Sequence, residues 1–571
     1  MNLLFLIFCS TVVLFLGYRF YGNFLSRLLG LRDDRTTPAC TLRDDVDFVP
    51  AGKWYLLGQH FSAIAAAGPI VGPILAGMWF GWVPTLLWIL SGGIFIGGVH
   101  DMLTVAASVR HQGKSIAEVL REYMSKRGYI LFLLFLWFSL VYIITTFMDI
   151  TAGTFVDPVR GAGVASSSMM YLGLALVMGI ILRKFNPPLG ITTLVFIPLV
   201  FVAIYLGPHF PLAMPALGNM NPRAMWNGAL LVYCFIAAVI PMWLLLQPRG
   251  YLGGFFLTLM VGVSLLGILV GNFIQPFVIQ YPAFTGWINP AGFPILPLLF
   301  TTVACGACSG FHAMVASGTT SKQIAKESDI KLVGYGGLLL ESFVAVIALA
   351  TVLILTVSKA GTLQDPNQIF ANGVSVFLSR LGIPAEMALN FALLAFATFV
   401  YDTLDVATRL GRYIFEELTG WRGKWSPYVA SFITLVLPAI FVTTQMTDAQ
   451  GHVIPAWKIF WSVFGSSNQL LAALVLLTIS LWLFKNKMRY KIALWPAIFM
   501  MLVAMCSLLF ILRPWVQEMF SLGKFIFNPV GITGAMLAGL ALLLLFEGAG
   551  IFMKTRAQKA ETIISKTPKG L

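Results

Sequence analysis

The chain has 571 residues, of which 58% are hydrophobic and only 11% charged, and its mean hydropathy is +0.86. Soluble domains carry about a quarter charged residues, so a soluble enzyme is excluded and an all-α polytopic membrane protein is expected. The net charge of +14 sits in short loops between apolar runs, where it orients the chain in a lipid bilayer rather than marking a nucleic-acid partner.

Windows of roughly 20 apolar residues give about fifteen candidate spans: 2–19, 55–79, 82–108, 129–152, 165–182, 189–207, 226–246, 251–275, 293–316, 332–357, 384–408, 427–444, 459–484, 492–512 and 529–553. No basic residue precedes the first run and no small-residue cleavage site follows it, so a retained helix is expected. With the N-terminus outside, the inner loops and the tail hold 30 of the 37 Lys and Arg, and the outer loops hold 7. That alternation predicts an outer N-terminus and an inner C-terminus. One transmembrane domain is expected over 1–571, with additional helices at 427–553 and a basic cytoplasmic tail at 554–571. Of the six cysteines, all but Cys40 lie in apolar runs, so no disulfide framework is expected. No nucleotide-binding glycine loop and no nucleophile–base set is readable, and no cofactor is expected.

The second span carries His60, Gly68, Pro69, Gly72 and Pro73 where a plain helix would carry leucine. Proline removes a donor and glycine weakens helix. A helix broken at membrane depth is tolerated only against protein or a wet cavity, where transporters hold cargo. His60 is a candidate proton carrier, and an opened helix offers free N–H groups to a carboxylate. Ser115 and Glu118 then form a capping box, and Ile116, Val119, Leu120 and Tyr123 share one face. A cytoplasmic amphipathic helix is expected over 113–127.

Ionisable residues at membrane depth are candidates for function. His100 and Asp101 are adjacent in span 3, and adjacent helical residues diverge by about 100°, so they are expected to point apart. Tyr233, Cys234 and Pro241 mark span 7 as a second interrupted helix, five spans after the first. That spacing predicts a five-plus-five inverted-repeat core over 55–410 with broken helices. Span 9 is rich in small and polar residues: Cys305, Cys308, Ser309, His312, Ser317, Thr319 and Thr320. Cys305, Cys308 and His312 fall on one helical face, which admits a metal reading; tight packing is the simpler one. Glu341 lies in span 10. In span 11, Asp402, Asp405, Arg409 and Arg412 line one face, with Asp405 and Arg409 at the spacing of a helix ion pair. Gly465-Ser-Ser-Asn468-Gln469 opens span 13 as a polar cap.

These residues also carry a resemblance. The runs Asp45-Val-Asp47-Phe48-Val-Pro50, Lys53-Trp54, Gly58-Gln-His60-Phe61 and Ala67-Gly68-Pro69-Ile-Val-Gly72-Pro73 resemble the carbon starvation protein A family. So do Gly98-Val-His100-Asp101, Trp243-Leu-Leu-Leu-Gln247-Pro248-Arg249, Cys305-Gly-Ala, Ser309-Gly310-Phe311-His312, Ser317-Gly318-Thr319-Thr320-Ser-Lys322, Asp402-Thr-Leu-Asp405-Val-Ala-Thr-Arg409 and Asn468-Gln469. The resemblance implies a secondary transporter of the amino acid–polyamine–cation superfamily type, importing peptides or, in relatives, pyruvate during nutrient limitation, coupled to protons in the bacterial inner membrane. Two positions depart from the pattern: Gln59 stands where a second histidine is expected, and Cys308 is unusual at its place.

The expected function is therefore proton-coupled uptake of small peptides or pyruvate, with the cavity between spans 2, 7 and 9. His60, Gly68, Pro69, Gly72, Tyr233, Ser309 and His312 are the expected substrate contacts. His60, His100, Asp101, Ser317, Thr319, Thr320, Glu341, Asp402 and Asp405 are the candidates for ion or proton coupling. Two other readings stand beside it. One is a metal-binding protein or metal transporter using His60, His100, Asp101, Cys305, Cys308 and His312. The other is a nutrient sensor with a transporter fold.

Overall fold

The computed structural model describes residues 2–566 except 45–47, 66, 219, 242, 291, 364, 445 and 448–452; it describes only the backbone of 401, 446, 447, 453, 551, 552 and 554–566. The Asp45–Asp47 part of the first motif and residues 567–571 of the expected tail thus lie outside the described residues.

Thirteen described helices are long and apolar enough to cross a membrane, and a bent pair makes a fourteenth span. The protein is a multi-pass, all-α membrane protein; the one ribbon among the described residues, Met446–Thr447 against Val453–Ile454, is two residues long on each side. The helices that position the site are α1 (Lys53–Ile64), α2 (Gly68–Phe80), α3 (Gly98–Arg110), α4 (Lys126–Phe155), α5 (Pro222–Val239), α6 (Leu246–Ile274), α7 (Ile295–Thr302), α8 (Phe311–Gly318), α9 (Gly337–Leu353), α10 (Ala385–Thr419) and α11 (Ala456–Lys485).

The break expected in the second span is present. α1 and α2 meet at 50°. α1 stops at Ala65, whose ψ of 69° is not helical. α2 restarts with Pro69 in its first turn, where the missing N–H costs no helical bond.

The second break differs from expectation. Span 9 is not continuous: α7 ends at Thr302, the chain runs irregularly, and α8 begins at Phe311. Span 7 is not interrupted at Pro241. α5 simply ends at Val239, and Ile240 is extended with ψ 156°, because proline bars the residue before it from the helical region. The second break among the described residues is therefore the α7–α8 segment.

The two breaks pack against each other through positions that hold no side chain. A Cβ on Gly68 would overlap Cys305 Sγ, and one on Gly72 would overlap the carbonyl oxygen of Thr302. Gly97, just before α3, approaches the carbonyl of Ala307 in the same way, and Gly465 of α11 approaches that of Thr301. Backbones this close leave the irregular segment enclosed by protein on every described side.

Gly72→Leu should cost about 1–3 kcal/mol through overpacking, read as a lower melting temperature in detergent. Gly173→Ala, where nothing lies within 4 Å, is the matched control and should leave the melting temperature unchanged or slightly raised.

Candidate functional site

Two buried polar clusters flank α1. The first is a chain of four groups. Asp101 of α3 accepts from His100 Nδ1 through Oδ1 at 2.7 Å and from His312 Nδ1 of α8 through Oδ2 at 2.8 Å. The other ring nitrogen of His312 lies 3.3 Å from Glu341 Oε2 of α9, and all of these side chains are fully buried. His60 of α1 stands beside them: its Nδ1 is 2.9 Å from Thr320 Oγ1, and its ring packs on Gly337. Among the described residues, no lysine or arginine pairs with Asp101 or Glu341.

The second cluster is built on Arg249, in the first turn of α6 and only 1% exposed. Its Nε donates to Asp402 Oδ1 of α10 at 2.8 Å, and its Nη1 pairs with Asp405 and Tyr233. Tyr233 donates to Asp405 Oδ2 at 2.9 Å. Ser62 of α1 donates to Asp402 Oδ2 at 2.8 Å. His60 and Ser62 are two residues apart, so one helix turn stands beside the first cluster and bonds to the second.

A cavity of about 1110 Å³ runs from the Lys- and Arg-rich end of the molecule to α1. Its inner lining includes His60, Ser62, Thr320, Arg249 and Asp402; its mouth carries Arg121, Lys126, Lys322 and Arg422 with Glu118, Glu416 and Glu417. At the mouth Lys114 donates to Glu122 at 2.7 Å, a bond that holds the lysine amine above its ordinary pKa and the carboxyl below its own. The expected amphipathic stretch contributes a short helix, Ile116–Arg121, capped by Ser115 Oγ accepting from the Glu118 N–H. It is docked rather than free, since the N–H of Ile116 donates to Ser317 Oγ at 3.0 Å.

The structure brings several expected residues together and separates others. His60, Ser317, Thr319, Thr320 and Asp402 line the cavity. The cavity lies between α1, α4, α8 and α10 and the start of α6; of span 7 only Leu246 reaches it, while Tyr233 stands behind Asp405. Gly68, Pro69 and Gly72 lie in the contact between the two breaks, away from the cavity lining. Ser309 and Cys305 bond to Asn468 Nδ2 of α11, at 3.0 and 3.6 Å. His100 and Asp101 do meet, contrary to expectation, because Asp101 turns one oxygen back to its neighbour's ring. Asp405 pairs with Arg249 and not with Arg409. The guanidinium of Arg409 caps the end of α5 by donating to the carbonyls of Ala237 and Ile240, both at 2.6 Å.

Cys305, Cys308 and His312 do not share a helical face, since residues 303–310 are not helical. No group of three or more His, Cys, Asp or Glu among the described residues converges as metal ligands. Arg249 was missed as a site residue. The signal that could have found it is the stretch 247–250, four residues between two apolar runs, too short to hold a solvated arginine.

The family model described as carbon starvation protein CstA matches residues 2–369 and 358–507. The peptide transporter CstA of Helicobacter pylori strain J99 is 34% identical over 575 residues, covering 89% of this chain and 81% of that one. The peptide transporter CstA of Escherichia coli K12 is 31% identical, covering 89% and 80%. The pyruvate/proton symporter BtsT of Escherichia coli K12 is 29% identical, covering 90% and 83%. A crystal structure of MhsT in complex with L-phenylalanine is similar at 14% identity and a TM-score of 0.48, covering 81% of this chain and 98% of that one.

Thr319→Cys, in a background with the six native cysteines replaced, should react with a charged maleimide that enters the cavity. Ser342→Cys, at a fully buried position, should stay unlabelled until the protein is denatured. Equal labelling of both would show that the cavity wall is not as described.

Proposed function

Since the chain belongs to the carbon starvation protein CstA family, we propose that it takes up small carboxylate-bearing solutes, peptides or pyruvate, together with protons across the bacterial inner membrane. The observation that carries this reading is the cavity, which reaches from one end of the molecule to the last turn of α1, just before its break, and to α8, the helix that follows the other break. Broken helices beside a water-accessible space are where secondary transporters hold cargo. With the N-terminus outside and the C-terminus inside, as the loop charges favour, the cavity opens to the cytoplasm and the structure is an inward-facing state. The two broken segments are then seven spans apart. An odd separation runs them in opposite directions, which suits an inverted repeat built on these two rather than on span 7.

The proton site in this reading is the Asp101–His312–Glu341 chain with His100 and His60. Two carboxylates and three imidazoles share a water-poor interior with no fixed cation among the described residues. Charge is costly in such a place unless it is paired. The net charge of the cluster is therefore set by exchangeable protons alone, as a proton carrier requires. His60 contacts this cluster's neighbourhood and the cavity at once, so it is placed to pass the proton between them.

Purified protein in proteoliposomes should accumulate labelled dipeptides or pyruvate when an inward proton gradient is imposed. Accumulation that ignores the gradient would end the proton-coupled reading. Asp101→Asn removes the charge that two imidazoles share and should lower gradient-driven uptake by about tenfold or more. Retained uptake in a folded Asp101→Asn protein would remove the chain from the mechanism. His60→Ala should likewise slow uptake without lowering the melting temperature by more than a few degrees, and full uptake would exclude its part.

A further inference from the structure

We propose that Arg249 is the residue that binds the carboxylate of the transported solute, and that Asp402 is an internal stand-in which that carboxylate displaces. The proposal rests on the uptake reading above and adds the recognition group that it lacks.

Arg249 lies at the inner end of the cavity. Its guanidinium is a planar fork that matches a carboxylate through two parallel bonds. One side of the fork is held from behind: Asp405 and Tyr233 pair with Nη1, and neither lines the cavity. The other side, Nε, is spent on Asp402, which does line the cavity. An arriving carboxylate thus meets Arg249 from the cavity, on the side where Asp402 holds Nε. Asp402 is itself a carboxylate, so the site already holds the functional group it is built to receive. The displaced Asp402 turns into the water of the cavity it borders.

Room for the Asp402 carboxylate is built into α6. Gly253, one turn after Arg249, faces the Asp402–Ser62 hydrogen bond, and a Cβ there would overlap Asp402 Oδ2. Two other arginines are buried among the described residues; Arg409 also borders the cavity, but a terminal nitrogen of each is tied to backbone. Arg409 donates to carbonyls of α5, as does Arg412, to Ala238 at 2.8 Å. The groups facing Asp402 are Arg249 from α6, Ser62 from α1, Tyr171 from the helix Gly161–Phe185, and Asp405 on its own helix.

The exchange has a structural consequence. Asp402 Oδ2 is the acceptor that ties Ser62, in the last turn of α1, to α10. When a solute takes Arg249, that tie is lost, and the first half of the broken span is released. Solute occupancy is thereby read by the same helix that carries His60.

Calorimetric titration of the purified protein with pyruvate and dialanine, and with pyruvamide and dialanine amide, tests this. Wild type should bind the acids and not the amides. Arg249→Gln should weaken binding of the acids by about tenfold or more. Asp402→Asn should bind them about tenfold tighter, because the stand-in no longer competes, and misfolding cannot produce a gain. Equal affinity for acids and amides, no binding of acids by wild type, or an Asp402→Asn protein no tighter than wild type would overturn the proposal. The two readings fail separately. Uptake of the amides as fast as the acids would sink the clamp and leave transport standing. The predicted binding pattern without any uptake would do the reverse.

Discussion

Every backbone polar group freed inside a bilayer must find a partner within the protein, and this chain opens its backbone twice at membrane depth. The rest of the architecture answers that constraint. Asn468 of α11 closes the second break: its side-chain oxygen accepts from the N–H of Phe311 at 2.9 Å, and its backbone carbonyl accepts from Gly310 at 3.2 Å. Glycines at 68, 72, 97 and 465 let neighbouring backbones approach the breaks closely enough to exclude lipid. Small residues are the usual means of close helix approach in membranes; here they enclose irregular chain rather than join two smooth helices.

The same enclosure gives the buried charges two different solutions. Around Arg249, fixed positive charge meets fixed negative charge, and a tyrosine and a serine fill remaining bonds. Around Asp101 no lysine or arginine stands among the described residues, and imidazoles take that place. One cluster suits the recognition of an anion and the other suits the holding of a proton. They are joined by α1, which sends His60 to one and Ser62 to the other. A short, interrupted helix is easier to displace than a long one, since it gains little from its own cooperativity. That is a physical reason for proton and solute to act on the same element.

Much of this was legible in the sequence, for definable reasons. The apolar runs and the His60–Pro73 break follow from local composition, because proline and glycine act where they stand. The second break was misplaced because Pro241 is a strong local signal that proved to end a helix, while residues 303–310 break one with no proline at all. The pairings were harder. His100 with Asp101 was argued against on helical spacing, which fixes Cβ directions but not how a side chain folds back. Asp405 was given to Arg409, its neighbour along α10, whereas the structure joins it to Arg249, more than 150 positions away. Local spacing carries no information about such tertiary partners. Arg249 itself was hidden by its place in a charge tally, although the shortness of its stretch signalled burial.

Proton movement driven by the solute tests the central claim most directly. Proteoliposomes containing a pH-sensitive dye, clamped at zero membrane potential and given no pH gradient, are exposed to an inward gradient of dialanine or pyruvate. The account predicts that the lumen acidifies as solute enters, and that Asp101→Asn abolishes the acidification. Solute entry at an unchanged lumenal pH would contradict it.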